Sequence, residues 1–224
     1  MGSYVSGPCK PPRLSLKDLP DATTTNDVFS GSLSSSTKTA AFTYFPQLGS
    51  VTYNRFGTYS DTFTIKLYDG TLAGSHTLRN SKTVTFTYTM ARKIDLSLVA
   101  TGSAFSAGST TQSMSFGNLI AGTSKSFDLI LEYNAGYNVS LSSVNQGMLK
   151  HSTLADTVPY TFQVNGTGVS LVGSNTTPVS AVSGTGVSAV NGLVLPVSVT
   201  IGSLGSARAG SYTDVVTLTV ATTE

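Results

Sequence analysis

The sequence has no tryptophan, one cysteine, two histidines and only two glutamates, Glu132 and Glu224. Charged residues make up 11% of its 224 positions. Each shortage excludes something. With Cys9 alone, no disulfide can close within the chain. Two separated histidines, one thiol and scattered aspartates give no metal-ligand spacing, so neither a metal nor another cofactor is expected. A net charge of +2 with dispersed basic residues makes no basic stripe, and no nucleic-acid partner is expected. No apolar run is long enough to cross a bilayer as a helix, so the chain is not expected to span a membrane. What remains is a Ser/Thr-rich sequence with 22 glycines and 39% hydrophobic residues, the latter arriving in short alternating bursts. That mixture withholds the usual helix formers and favours strands and turns, so an all-β protein is expected.

An internal near-repeat organises the chain. Gly57-Thr58-Tyr59-Ser60-Asp61-Thr62-Phe63-Thr64-Ile65-Lys66-Leu67 matches Gly210-Ser211-Tyr212-Thr213-Asp214-Val215-Val216-Thr217-Leu218-Thr219-Val220 at Gly, Tyr and Asp and in its apolar alternation. Side chains two apart share a strand face, so residues 59 to 67 (odd) and 212 to 220 (even) each predict one largely apolar face. The motif's glycine permits a turn with positive φ, and its aspartate suits a structural place at the strand entrance, bonding nearby amides. Two copies predict two β modules.

Along the chain, residues 1 to 38 read as irregular, with Pro8, Pro11, Pro12 and Pro20 interrupting pairing. Strands are predicted at 41–45, 50–56, through the Gly57 motif and at 83–90, where Val84, Phe86, Tyr88 and Met90 share a face. Ala91-Arg92-Lys93 marks a boundary, giving modules 1–91 and 92–224. The second module begins with Ile94-Asp95-Leu96-Ser97-Leu98 and continues through runs at 113–119, 126–133, 137–141, 158–164, 169–171 and 197–201 before the closing motif. Asn165-Gly166 predicts a tight hairpin turn. Residues 173–192 read as a loop or weak hairpin, and Pro196 argues against a central strand there. Strands at this spacing suggest a β-sandwich.

The closing Gly-[Ser/Thr]-Tyr-[Ser/Thr]-Asp turn and alternating strand is similar to the C-terminal signature of spore-coat-protein-U-like domains, which archaic (Csu-type) chaperone–usher pilus subunits also carry. Ser115-Phe116-Gly117 and Val158-Pro159-Tyr160-Thr161-Phe162 resemble two further segments of that domain. The resemblance covers residues 94–224, and residues 40–70 through the motif alone. Family domains often carry cysteines near the first strand, where this chain has Ser103-Ala104-Phe105, and the first module is too short before its motif to be a full copy.

The resemblance implies immunoglobulin-like sandwiches, the C-terminal one incomplete and finished by donor-strand complementation. Its groove would lie between Ile94, Leu96 and Leu98 on one wall and Val216, Leu218 and Val220 on the other. A periplasmic chaperone, and then an adjacent pilus subunit, would fill it by β-strand addition. Such a subunit is exported, to the periplasm and then to the cell surface; Met1-Gly2-Ser3 reads as an appended start in place of an export signal. Residues 1–13 hold three prolines and make a poor donor strand, which predicts a tip adhesin that holds an abiotic or host surface and promotes biofilm formation.

Catalytic chemistry finds little support. His151-Ser152 with Asp156 nearby suggests a triad only by sequence proximity, which says nothing of geometry, so no enzyme is expected. Asn138-Val139-Ser140, Asn165-Gly166-Thr167 and Asn175-Thr176-Thr177 fit the N-glycosylation pattern, as chance allows in so Ser/Thr-rich a chain. Aromatics crowd the first module, and Phe45, Tyr53 and Phe56 are candidates for exposed adhesive loops. Two other functions fit an all-β reading: a structural protein of a spore or cyst coat, and a carbohydrate-binding β-sandwich.

Overall fold

A computed structural model describes residues 55–70 and 76–223. They fall into two compact units, one holding Thr58–Met90 and the other holding residues 55–57 with 91–223. Among them every regular element is a strand. The expectations for Cys9, Phe45, Tyr53 and the strands predicted before residue 55 lie outside the described residues.

In the first unit, β1 (Gly57–Gly70) and β2 (His76–Met90) form a two-stranded ribbon. Thr58 pairs with Thr89 and Thr62 with Thr85 through side-chain hydroxyls, at 3.4 and 3.0 Å. Both pairs sum to the same residue total, so one antiparallel register holds between them, with threonines and serines sharing a face. The opposite face is the predicted apolar one. Val84, Phe86 and Met90 on it are half-buried, while Tyr59, Ile65, Leu67 and Tyr88 are exposed.

The second unit is a sandwich of two antiparallel sheets. Its strands are β3 (Ile94–Val99), β4 (Ser124–Tyr133), β5 (Tyr137–Ser143), β6 (Met148–His151), β7 (Thr157–Val164), β8 (Thr167–Val169), β9 (Val179–Gly184), β10 (Leu193–Ile201), β11 (Tyr212–Thr213) and β12 (Val216–Thr222). One sheet runs in the order β11-β6-β7-β10-β4-β3, with β8 also paired to β7, and the other runs β12-β5-β9. Between them lies a core in which Leu129, Leu131, Val139, Leu141 and Val197 have no exposed surface. Alternate residues of β5 and β10 supply it, as period-2 patterning requires. The predicted turn after β7 is present: Asn165 and Gly166 both take positive φ, 51° and 75°, which suits a two-residue hairpin loop.

Four expectations need correction. The run at 113–119 forms no strand: its Met114 and Phe116 pack against the core from a loop. β10 is an interior strand, flanked by β4 and β7, although it contains Pro196. Pro196's carbonyl accepts from Asn165 N at 2.7 Å. In a strand, a residue's nitrogen points to the same side as its carbonyl, here toward the turn where β7 has ended, so the missing N–H costs no bond to β4. Residues 173–192 include β9, which pairs with β5 through a bulge at Val139/Ser140. Finally, the closing motif is two strands. β11 pairs with β6 in the first sheet, and β12 pairs with β5 in the second, so the chain changes sheets at Asp214-Val215.

Asp214 holds that crossing. Its carboxylate accepts from Ser143 Oγ at 2.6 Å, Asn145 N at 3.0 Å, Tyr160 Oη at 2.5 Å and Val215 N at 2.8 Å. Burial first, and then the bond to this carboxylate, push the Tyr160 phenol above its ordinary range. The motif's Gly210 has a packing reason beyond turn freedom: a Cβ there would collide with the His151 ring.

Candidate strand-acceptor groove

The six residues expected to wall a groove come from the first and last strands of the second unit. β3 ends one sheet and β12 ends the other, and the two edges lie beside each other. Leu98 belongs to the buried core, and Ile94, Leu96, Val216, Leu218 and Val220 pack against it half-buried. All six therefore meet over one apolar floor, each wall supplying three aliphatic side chains and no charge.

The backbone phase of both edges follows from hydrogen bonds at their ends. Asn134 N donates to Lys93 O at 3.1 Å, so odd-numbered residues of β3 direct their amides and carbonyls to β4. Ile94, Leu96 and Leu98 direct theirs outward. On β12, Val144 N donates to Val215 O at 3.0 Å and Thr223 N to Gly136 O at 2.9 Å. Odd-numbered residues there face β5, and Val216, Leu218 and Val220 present their main-chain groups to the open side. The residues that line the slot with apolar side chains are thus the ones whose backbone faces it.

The two edges are not equally open. On β3, Leu96 N donates to Asp95 Oδ1 at 2.9 Å, Leu98 N donates to Ser109 O at 2.7 Å, and Ser109 Oγ donates to Leu98 O at 2.8 Å. On β12, the outward groups of Val216, Leu218 and Val220 have no such partners among the described residues. The resemblance named these six residues, and nothing in the sequence pointed to the loop that covers part of one wall. Ser109 sits in a Ser/Gly/Thr stretch with no periodic signal.

The remaining candidate residues lie elsewhere. His151 is buried, and its Nδ1 accepts from Thr153 N and Leu154 N, both at 3.1 Å. The ring proton therefore sits on Nε2, which donates to Ala209 O at 3.3 Å, while Tyr212 packs edge-on at 5.0 Å. Asp156 is engaged by Arg208, whose Nε and Nη2 each donate to it at 2.8 Å. Those bonds hold the Asp156 carboxyl well below the usual carboxylate range. His151, Ser152 and Asp156 are thus not joined in a proton relay. Phe56, expected at an exposed tip, is half-buried: its N–H donates to Asn134 O at 3.0 Å, and the Arg92 guanidinium covers its ring at 4.9 Å.

No protein-family model matches the chain. No curated protein matches it by sequence. Among solved structures it is similar to a chain in the crystal structure of the CsuC–CsuE chaperone–tip adhesion subunit pre-assembly complex from archaic chaperone–usher Csu pili of Acinetobacter baumannii. The identity is 16% and the TM-score 0.38, over 79% of this chain and 63% of that one.

Proposed function

We propose that residues 91–223 are a strand-accepting assembly module of an exported surface fibre of the chaperone–usher kind. One observation carries this reading: β12 presents an unpaired backbone edge directly over apolar side chains, beside the edge of the opposite sheet. An unpaired edge over an apolar slot is a template for another chain. An extended segment seated there satisfies the main-chain groups and buries the alternating side chains together. On this reading a periplasmic chaperone supplies that segment first and an adjacent subunit later, and the chain assembles and attaches rather than catalyses.

Attachment to an abiotic or host surface, with biofilm formation as its outcome, is assigned in this reading to the N-terminal unit. The exposed Tyr59, Ile65, Leu67, Leu78 and Tyr88 of β1 and β2 support that assignment. Co-expression with a chaperone of this class tests the assembly role: the chain should co-purify with it, and Leu218→Lys should abolish co-purification while leaving the chain folded. Equal recovery of the two forms would remove the reading. For attachment, Phe45→Ser with Tyr53→Ser should weaken binding to a polystyrene surface at equal display, and unchanged binding would withdraw that pair.

A further inference from the structure

The loop after β3 bears on how a strand could be accepted. Residues 100–109 fold back along β3 and are anchored at four places. Gly102 N donates to Asp128 Oδ2 at 2.8 Å, and Asp128 is buried. Thr101 Oγ1 meets Ser126 Oγ at 3.2 Å. Ser106 N donates to Ser97 Oγ at 3.1 Å, and Ser97 has no exposed surface. Ser109 then makes its paired bonds with the Leu98 amide and carbonyl, while its own N–H donates to Ser106 O at 3.1 Å. Ser109 thereby occupies the edge position that a paired strand would use.

Building on the acceptor function proposed above, we infer that residues 100–109 are a fixed strap that makes strand acceptance one-sided. The incoming segment takes its ladder hydrogen bonds from Val216, Leu218 and Val220. β3 gives Leu96 and Leu98 as side-chain contacts, and on its backbone Ser109 takes both the amide and the carbonyl of Leu98, the last outward-facing residue of the strand. Displacing the strap would strand the anchored amides of Gly102 and Ser106 and two buried polar side chains, Asp128 and Ser97. Leaving such groups unsatisfied is costly. The β12 amides carry no such cost, because they have nothing to lose. The partner this surface fits is an extended segment with aliphatic residues at every second position and uncharged residues between them over the slot.

Residue-resolved amide exchange on the full chain tests the strap. The probe is a synthetic peptide of alternating valine and threonine, as long as the seven residues of β12, with lysine tails for solubility. Saturating peptide should slow exchange at Val216, Leu218 and Val220 by about tenfold or more. Leu98, whose amide the strap already holds, should be slow without peptide and stay unchanged. If the β12 amides slow and the Leu98 amide changes with them, the strap moves aside and this inference fails while strand acceptance stands. If no β12 amide slows, strand acceptance itself fails. In a second arm, Ser97→Ala with Ser109→Ala should let peptides lengthened by two residues at either end bind about fivefold tighter than to the parent chain. Equal affinity for the two forms would overturn the strap.

Discussion

Asp214 shows what one residue settles in this chain. All four groups that reach its carboxylate are donors, two side-chain hydroxyls and two main-chain amides. Asparagine has the same shape but turns an N–H₂ toward donors, so Asp214→Asn should leave some of them unsatisfied. The cost is about 1–3 kcal/mol, read as a lowered midpoint in chemical denaturation. Asp156 behaves differently, because its partner Arg208 is 62% exposed. Its carboxyl titrates below the ordinary range in the folded chain because Arg208 bonds it. The stabilisation is therefore present above the unfolded value near 4 and is lost as pH falls toward the folded one. Asp156→Asn should flatten the acid limb of a stability-against-pH curve below pH of about 4, with an effect that shrinks in high salt. The aspartate of the repeat was legible in sequence as a structural residue. Its bonds to Ser143 and Tyr160 were not, because they join positions 71 and 54 residues away.

At the level of elements, strong alternation was readable and weak alternation was not. The even residues from 212 to 220 are half-buried and the odd ones exposed, with Val215 at 61%, so the face assignment of the closing motif holds through its whole length. The alternation nevertheless continues unbroken across Asp214-Val215 while the partner strand changes from β6 to β5. A change of sheet leaves no mark on a period-2 pattern. β9 escaped notice because Val179–Gly184 mixes Val, Ala, Ser and Gly, and its pairing is set by β5 and a bulge rather than by its own residues. Pro196 misled for a local reason, since only the end of the neighbouring strand decides whether an amide is needed at that place. The Asn165-Gly166 turn was legible because its chemistry is local. Gly166→Val should cost about 1–2 kcal/mol by forcing a β-branched residue into positive φ, measurable as a lowered thermal midpoint.

At the largest scale, the adjacency of β3 and β12, the first and last strands of the second unit, is the property that alternation could not supply. Any amphipathic strand pair reads alike in sequence, and only the resemblance to a known domain pointed to these two edges. The sandwich also explains why ligand and stability should move together. A valine/threonine strand peptide at a hundred times its dissociation constant should stabilise the second unit by about 2.7 kcal/mol, seen as a concentration-dependent rise in melting temperature. A scrambled peptide without alternation should leave the melting temperature where it was. The change of sheet at Asp214 has a mechanical consequence as well. Seven residues of β12 run against β5, so tension applied lengthwise through a neighbour seated along β12 would load those rungs in shear, all together, instead of peeling them one after another. The pull would then arrive at the Asp214 crossing, where the chain passes into the opposite sheet, so both layers of the sandwich would share the force.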